Sequence, residues 1–579
     1  MACSGLRSWR SGVPAAAPIT SSRAARRGIA SFKVPEIKNE PMRPFEKNSS
    51  DRTHLTAALQ SLHSRKPLSI PIVVAGMEST TSTTSSQPIP SSHKDTLATS
   101  SQASPSDIDT AITSALAAKS SWETLPFAER AAVFLKAADL VAGKYRYDVL
   151  ATTMLGQGKN AWQAEIDAAA ELCDFLRFGV RYAEDVYSHQ PVHNPAGTWN
   201  RVEYRPLEGF VYAISPFNFT AIGGNLPCAP AIMGNVVLWK PSPSAMASNW
   251  LVYQILIEAG LPKDVIQFVP GDAVEITEQV LKHKDFAALH YTGSTAVFRS
   301  LYGKISDGVK EGRYRGYPRI VGETGGKNYH LVHNSAAVEN VVVGTVRGAF
   351  EYQGQKCSAT SRGYFPASRW EETKPRLIEE VKKLKVGDPE AWENFVGPVI
   401  HKQSFDKLSR VLDESNQDPE LQCLVGGTHD GSKGYYIQPT IYLTKNPTHK
   451  LMSQELFGPV MCIYVYDDAA SSNADKAWTD ICQLIDETSE YALTGAVFSS
   501  DRAALRVASD ALRNSAGNFY INCKSTGSVV AQQPFGGARA SGTNDKAGSA
   551  NLMSRFVSMR SIKESFVEEV GVEYPSNIL

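Results

Sequence analysis

The chain has no net charge: 59 lysines and arginines balance 59 aspartates and glutamates over its 579 residues. No overall field therefore draws it to nucleic acid or to an anionic membrane surface. It has no apolar run of the roughly 18 residues that a membrane-spanning helix needs. Its eight cysteines include no CxxC pair and no regular spacing, which speaks against structural zinc and against a disulfide framework. No GxxxxGKS or GxxxxGKT occurs, so a P-loop nucleotidase is disfavoured. The last absence is local. No acid precedes Glu36, while Arg7, Arg10, Arg23, Arg26, Arg27 and Lys33 are scattered among Ser, Ala and Pro. That is the composition of a mitochondrial transit peptide, expected over residues 1–31, and the alternative is a disordered basic tail. A secretory signal does not fit, because no apolar stretch of about 7–15 residues follows the first charges.

What remains is ordinary globular material, 42% hydrophobic and 20% charged, long enough for two or three packed units. Ser69 to Gly76 reads as a short strand, and the Ser/Thr/Pro-rich stretch from Glu78 to Ser104 as an exposed loop or ragged hairpin. Pro105, Ser106 and Asp107 start a helix in which Ile108, Ile112 and Leu116 recur at helical spacing. Helical pattern resumes from Phe127 to about Leu155 and from Asn160 to about Tyr187. From Phe210 onward, short apolar runs alternate with helical ones. Gly209–Ser215, Asn235–Lys240, Val265–Val269 and Phe286–Tyr291 form a first set. Tyr329–Val332, Arg362–Phe365, Val460–Tyr466 and Thr494–Phe498 form a second. Such alternation predicts an α/β protein with parallel sheets wound on both faces. Gly156, Gly158 and Ala161 spell GxGxxA but follow a helical pattern, so they are set aside as a dinucleotide loop.

Four short segments carry chemistry. The segment QGQKCSAT places Cys357 after a glycine-containing turn and before Ser358; SPFNFT holds Asn218, ETGGKN holds Glu323, and QELFGPV holds Glu455. A thiol nucleophile, an amide to hold an oxyanion, a carboxylate base and a nicotinamide cofactor are together what oxidation of an aldehyde to an acid requires.

In these motifs and their order, the chain from about Ile70 to about Glu564 resembles the aldehyde dehydrogenase superfamily. The stretch KSTGSVV from Lys524, followed by QQPFGGARASGTNDK to Lys546, is similar to the branch that oxidises L-glutamate γ-semialdehyde to L-glutamate. The resemblance implies a Rossmann-type NAD-binding domain (32–189 and 209–325), an α/β catalytic domain (326–542) and a β-hairpin oligomerisation element (190–208 and 543–579). It implies Cys357 as nucleophile, Asn218 with the Cys357 backbone N–H as oxyanion hole, and Glu323 as the base that hydrolyses the thioester. For the cofactor, NAD, it implies Ser215, Pro216, Phe217, Lys240, Ser242, Gly293, Ser294, Glu455 and Phe457. One position departs from the NAD-specific pattern: Pro243 stands where many relatives carry a carboxylate three residues after the lysine, so NADP is less firmly excluded. For the substrate it implies Gly527, Ser528 and Ser358 around a carboxylate, Phe219 and Phe535 around the aliphatic chain, and Glu165 facing an ammonium. It implies no metal, a small-molecule substrate, a mitochondrial matrix location and a homodimer or higher homo-oligomer. Two alternatives stay open: another semialdehyde dehydrogenase of succinate-semialdehyde type, and a non-catalytic relative.

Overall fold

The computed structural model describes residues 33–468 and 474–578, so the transit-peptide expectation for residues 1–31 lies outside it. Two seven-stranded sheets organise the chain. In the first, the strand order is Arg319–Glu323, Phe286–Thr292, Phe210–Ile214, Val236–Lys240, Ile266–Phe268, Ile72–Val74, Met77–Ser79. The first five run parallel and the last two are antiparallel additions. The order reverses between Phe210–Ile214 and Phe286–Thr292, the point where doubly wound sheets open a crevice for a ligand. In the second sheet the order is Leu421–Val425, Thr440–Thr444, Val460–Tyr466, Thr360–Pro366, Asn328–Val332, Thr494–Phe498, Asn518–Ile521. All its pairings are parallel except that of the first strand.

The central strands are buried on both faces, as their unbroken apolar sequences require. Phe210, Tyr212, Val236, Leu238 and Leu289 pack against Ile108 and Ile112 of the helix Pro105–Glu123. That helix starts where the sequence predicted, with a Ser104–Asp107 capping box. In the second sheet, successive residues feed opposite layers. Leu331 and Tyr364 join a core with Trp478, Ile481 and Ile485, whereas Val332 and Phe365 join one with Val342, Val346 and Leu377.

Four expectations change. Ser69–Gly76 is two strands, Leu68–Ile70 and Ile72–Val74, that belong to different sheets. The Ser/Thr-rich stretch holds a ragged hairpin, Thr84–Ile89 with Ser92–Ser101, whose register shifts on both sides of Pro88, but it is not all exposed: Gln87, Ser100 and Ser101 are buried. Gln87 bonds the Ser244 carbonyl and the Ala247 amide, so its polar side chain is satisfied by tertiary contacts. The long helical pattern from Phe127 breaks at Gly143 into Phe127–Ala142 and Arg146–Gln157. The second of these ends on Gly158 at φ +70°, so the GxGxxA spelling marks a helix terminus. Finally, the segment from Asn160 contains a π-helix, Glu165–Glu171, that runs directly into the helix Leu172–Ser188.

The strand Thr198–Pro206 pairs antiparallel with Val557–Ser565 over nine residue pairs, forming an arm outside both sheets. Trp199, Met559, Phe566 and Val567 are exposed on it or at its end.

Candidate active site

Glu323 ends the last strand of the first sheet and Asn328 opens a central strand of the second. ETGGKN is therefore the link between the two sheets. Cys357 lies three residues ahead of the strand Thr360–Pro366, beside Asn328–Val332, so nucleophile and base meet at that seam. Close approach needs both glycines of the link. A Cβ at Gly325 would collide with the Glu455 carboxylate, and one at Gly326 with the Cys357 carbonyl. The Asn328 side chain ties the seam by donating to the Cys357 and Ala359 carbonyls at 2.7 and 2.9 Å. Ahead of the cysteine, Tyr352 and Gln353 adopt left-handed φ values of 51° and 56°. The Gln353 amide holds that strained turn by donating to the Gly158 and Pro398 carbonyls, both at 2.8 Å.

Asn218 is positioned from the opposite side. Asp167 accepts the Thr220 and Ala221 amides at 2.8 Å each, which caps the helix Thr220–Ile232 and fixes the turn in front of it. The buried Asn218 Nδ2 donates to the Gln355 carbonyl at 3.1 Å, two residues from Cys357, and keeps a second N–H free.

The electrostatics favour neutral groups at rest. Burial, then the Glu323 and Glu455 carboxylates, hold the Cys357 thiol well above its ordinary range. Burial likewise raises Glu323 well above the ordinary carboxylate range. Lys546 and the Gly537 amide oppose this from nearby, yet neither Glu323 oxygen closes a hydrogen bond. A buried carboxyl of raised pKa beside a thiol, with neither oxygen hydrogen-bonded among the described residues, is placed to act as a general base once it ionises.

One cavity of about 890 Å³, its open mouth included, is lined by Cys357, Glu323, Ser358, Phe219, Phe535, Gly527 and Ser528. Ser358 Oγ lies 2.7 Å from Thr526 Oγ1, which joins the nucleophile segment to the loop that carries Gly527 at φ +99°. Lys159 stacks its ammonium over the Phe219 ring at 3.9 Å and is neutralised by Asp167 at 2.7 Å.

Glu165 is not in this cavity. It is fully buried in an ion pair with Arg146 and accepts the Arg43 amide at 2.9 Å. The acid of this segment that lines the cavity is Glu171, whose side chain has no hydrogen-bond partner among the described residues; Glu323 and Asp545 are the other acids of the lining. The π-helix causes the swap. Its five-residue turn puts Ile166 and Glu171 on one face, and the α-turn that follows adds Phe175; all three line the cavity. A signal was present, because Glu171 and Phe175 stand four apart on a helical face. Lys356 is a second lining residue that the motif reading passed over. Its ammonium is held by the buried Glu351 at 3.0 Å, together with Lys524 at 2.7 Å and Arg347 at 2.9 Å. Of the other cysteines, Cys423 and Cys523 are exposed.

The cofactor residues cluster at the C-terminal edge of the first sheet. Ser215 follows Phe210–Ile214, and Lys240 ends Val236–Lys240. Gly293 and Ser294 follow Phe286–Thr292 and start the helix Thr295–Lys310. Ser294 caps that helix by accepting the Val297 amide, which leaves the first-turn N–H groups to face an anion. Lys240 is buried, its ammonium has no hydrogen-bond partner among the described residues, and burial lowers it to about 8. Glu455 Oε1 accepts the Gly326 amide at 2.9 Å and leaves Oε2 unused. Phe217 and Phe457 meet edge to face at 5.7 Å, with Phe457 at φ 59°. The Ser215 hydroxyl is engaged by the Trp239 indole at 2.7 Å and the Gly223 carbonyl at 3.1 Å, and its amide donates to the Lys240 carbonyl at 3.1 Å, which leaves its own carbonyl to meet a ligand. Ser242 is half-buried, and Pro243 opens the single turn Pro243–Ala245. An orphaned buried ammonium, a helix N-terminus and a half-used carboxylate fit a dinucleotide with two ribose hydroxyl sets and a pyrophosphate.

Residues 77–562 match the aldehyde dehydrogenase family. The chain belongs to that family. This aldehyde dehydrogenase is 64% identical over 556 residues to the mitochondrial delta-1-pyrroline-5-carboxylate dehydrogenase of Emericella nidulans, with 96% of each chain covered. Against the human mitochondrial protein of the same name, identity is 49% over 531 residues and 92% of each chain. The crystal structure of the Mycobacterium tuberculosis Delta-pyrroline-5-carboxylate dehydrogenase bound with NAD superposes at a TM-score of 0.90 and 44% identity. That match covers 95% of this chain and 100% of the other.

Proposed function

We propose that this aldehyde dehydrogenase oxidises L-glutamate γ-semialdehyde, in equilibrium with Δ1-pyrroline-5-carboxylate, to L-glutamate with NAD+, the second step of proline catabolism. One observation carries the reading. A single cavity combines the thiol of Cys357 and the unpartnered base Glu323 with a hydroxyl-rich turn suited to a carboxylate and an unpartnered acid, Glu171, suited to an ammonium.

In this mechanism Cys357 gives its thiol proton to water and attacks the aldehyde carbon as the thiolate through Sγ, and the resulting alkoxide is met by Asn218 Nδ2 and the Cys357 N–H. Removal of one such donor typically costs about 3–4 kcal/mol of transition-state stabilisation. NAD+ would be held by Lys240, the Gly293–Ser294 helix start and Glu455, and would supply the acceptor for the hydride whose loss turns the Cys357 thiohemiacetal into a thioester. Glu323 then takes a proton from the water that hydrolyses it, and a free acid leaves. Gly527, Ser528 and Ser358 hold the substrate carboxylate, Phe219 and Phe535 flank its methylenes, and Glu171 takes over the ammonium role that Glu165 cannot fill. A succinate-type aldehyde lacks the ammonium and would leave Glu171 unmatched in the cavity.

The relatives named mitochondrial support a mitochondrial location, and the acid-free start supports a transit peptide with delivery to the matrix. The exposed apolar residues of the arm support a homodimer or higher homo-oligomer in which the arm pairs with a neighbouring copy. We keep the division into a cofactor domain (32–189 and 209–325), a catalytic domain (326–542) and an oligomerisation element (190–208 and 543–579). The test is steady-state kinetics with pyrroline-5-carboxylate against succinate semialdehyde, each with NAD and with NADP. A kcat/KM for succinate semialdehyde equal to that for the amino-acid substrate would overturn the assignment.

A further inference from the structure

Residues 36–46 form no helix or strand, yet side-chain hydrogen bonds tie this segment to the helices Arg146–Gln157 and Leu172–Ser188. Glu40 receives Arg146 at 2.6 Å and Arg177 at 2.7 Å, and its amide donates to Asp174 Oδ1 at 2.7 Å. Arg146 also donates to the Pro41 carbonyl at 2.9 Å, and the Arg43 amide reaches Glu165. Glu165, misplaced in the cavity by sequence reasoning, thus helps to hold this strap.

Asn39 uses its whole side chain between two other elements. Its Nδ2 donates to Asp174 Oδ2 at 2.8 Å and to the Val530 carbonyl at 2.9 Å, and its Oδ1 accepts from Gln532 Nε2 at 3.0 Å. Asp174 sits between Glu171 and Phe175, which line the cavity from the helix side. Val530 lies two residues beyond Ser528, which lines the cavity from the loop side. Both walls also approach Gly548, where a Cβ would lie 3.2 Å from Val530 and 3.7 Å from Phe175.

We propose that Asn39 is a positioning residue for substrate selection. It staples the wall that presents Glu171 to the loop that presents Gly527 and Ser528, and so sets the distance between the groups that receive the ammonium and the carboxylate. This rests on the assignment of those two receiving groups above. A substrate that carries both charges feels that distance. An aldehyde with neither does not.

The test is made on the full-length protein with Asn39→Ala and, separately, Gln532→Ala, which removes only the outermost bond of the staple from an exposed side chain. KM is measured for L-glutamate γ-semialdehyde, for the uncharged pentanal and for NAD+, with Ser528→Ala as reference. Losing the staple's two donors is expected to raise KM for the amino-acid aldehyde roughly three- to tenfold, with Gln532→Ala smaller in the same direction. KM for pentanal and for NAD+ is expected to stay within about twofold of the parent. Equal effects on the two aldehydes, or no effect while Ser528→Ala does discriminate, would overturn the staple alone. If Ser528→Ala itself fails to discriminate, the anchor assignment is at fault and the staple falls with it. Should Asn39→Ala not fold, a flat result for Gln532→Ala is enough to reject the proposal.

Discussion

Replacement of Glu171 by glutamine tests the substrate end of the cavity most directly. Burial, then the nearby Asp167, pushes the Glu171 carboxyl up to about 8, against the pull of Lys159 and Lys356. A carboxyl held there is about nine-tenths protonated at pH 7, and each unit below its pKa costs roughly 1.4 kcal/mol to ionise. An arriving ammonium therefore binds with loss of that proton. KM for the amino-acid aldehyde is expected to fall about tenfold per unit as pH rises from 6 towards 8, then level off. Glu171→Gln removes the slope together with a hydrogen bond to a charged group worth about 1.5–3 kcal/mol, or roughly ten- to a hundredfold in kcat/KM.

The assay is kcat/KM from pH 6 to 9 for glutamate γ-semialdehyde and for pentanal, in parent and variant. The opening equilibrium of pyrroline-5-carboxylate changes with pH equally for both proteins and cancels in their ratio. Stability moves the other way. The folded protein holds this acid above its ordinary value of 4.5, so the folded state loses stability as pH rises from 4.5 through about 8. Glu171→Gln is therefore expected to melt higher than the parent at pH 8 while working worse. A variant that keeps the parent's pH slope, or that slows both aldehydes alike, would refute the assignment of Glu171 to the ammonium.

Cys357→Ala is expected to leave dinucleotide binding near the parent's affinity, read by fluorescence titration, with turnover below about a thousandth of the parent; higher residual turnover rules out Cys357 as nucleophile. Glu323→Gln is expected to release one equivalent of NADH in a stopped-flow burst and then stall at the thioester, whereas absence of the burst would place Glu323 in an earlier step. In the parent, the hydrolytic step is expected to slow as pH falls through the raised pKa of Glu323, since the base must be ionised to act. Truncation before the strand Val557–Ser565 removes the arm's partner strand but spares Asp545, Ala547 and Leu552 of the cavity wall. It is expected to lower the mass per particle in light scattering or to cost solubility, and a soluble truncation of unchanged mass would rule out the arm as the oligomer contact.

The sheet strands were legible because parallel strands buried on both faces must be apolar along their whole length. NVVLWK and FVYAI announce themselves, and only their neighbours remain to be found. The burial of the hairpin Thr84–Ser101 was not legible, because its Gln87 is satisfied by partners far away in sequence, Ser244 and Ala247. Polarity read along the chain mistakes satisfied for solvated. The chemical end of the site was legible for a different reason. Cys357, Asn218, Glu323 and Glu455 each sit in a turn whose own backbone has to take a special shape, so their neighbours carry the signal with them.

The ammonium-facing acid had no such local mark. Glu165, Asp167 and Glu171 lie on one segment, and which of them faces the cavity depends on whether the helix turns in 3.6 residues or in a wider step. With α-turns throughout, a cavity-facing Phe175 at the C-terminal end predicts Glu171 and then Asp167 four residues before it. The π-turn makes Ile166 the next cavity residue instead, and frees Asp167 to cap the helix that carries the Asn218 turn. One irregular turn thus assigns three acids to three tasks: Glu171 to the cavity, Asp167 to the oxyanion side, and Glu165 to the strap that carries Asn39. A single extra residue in a helical turn is invisible to periodicity, yet it decides that Ile166, and not Asp167, is the next residue to line the cavity.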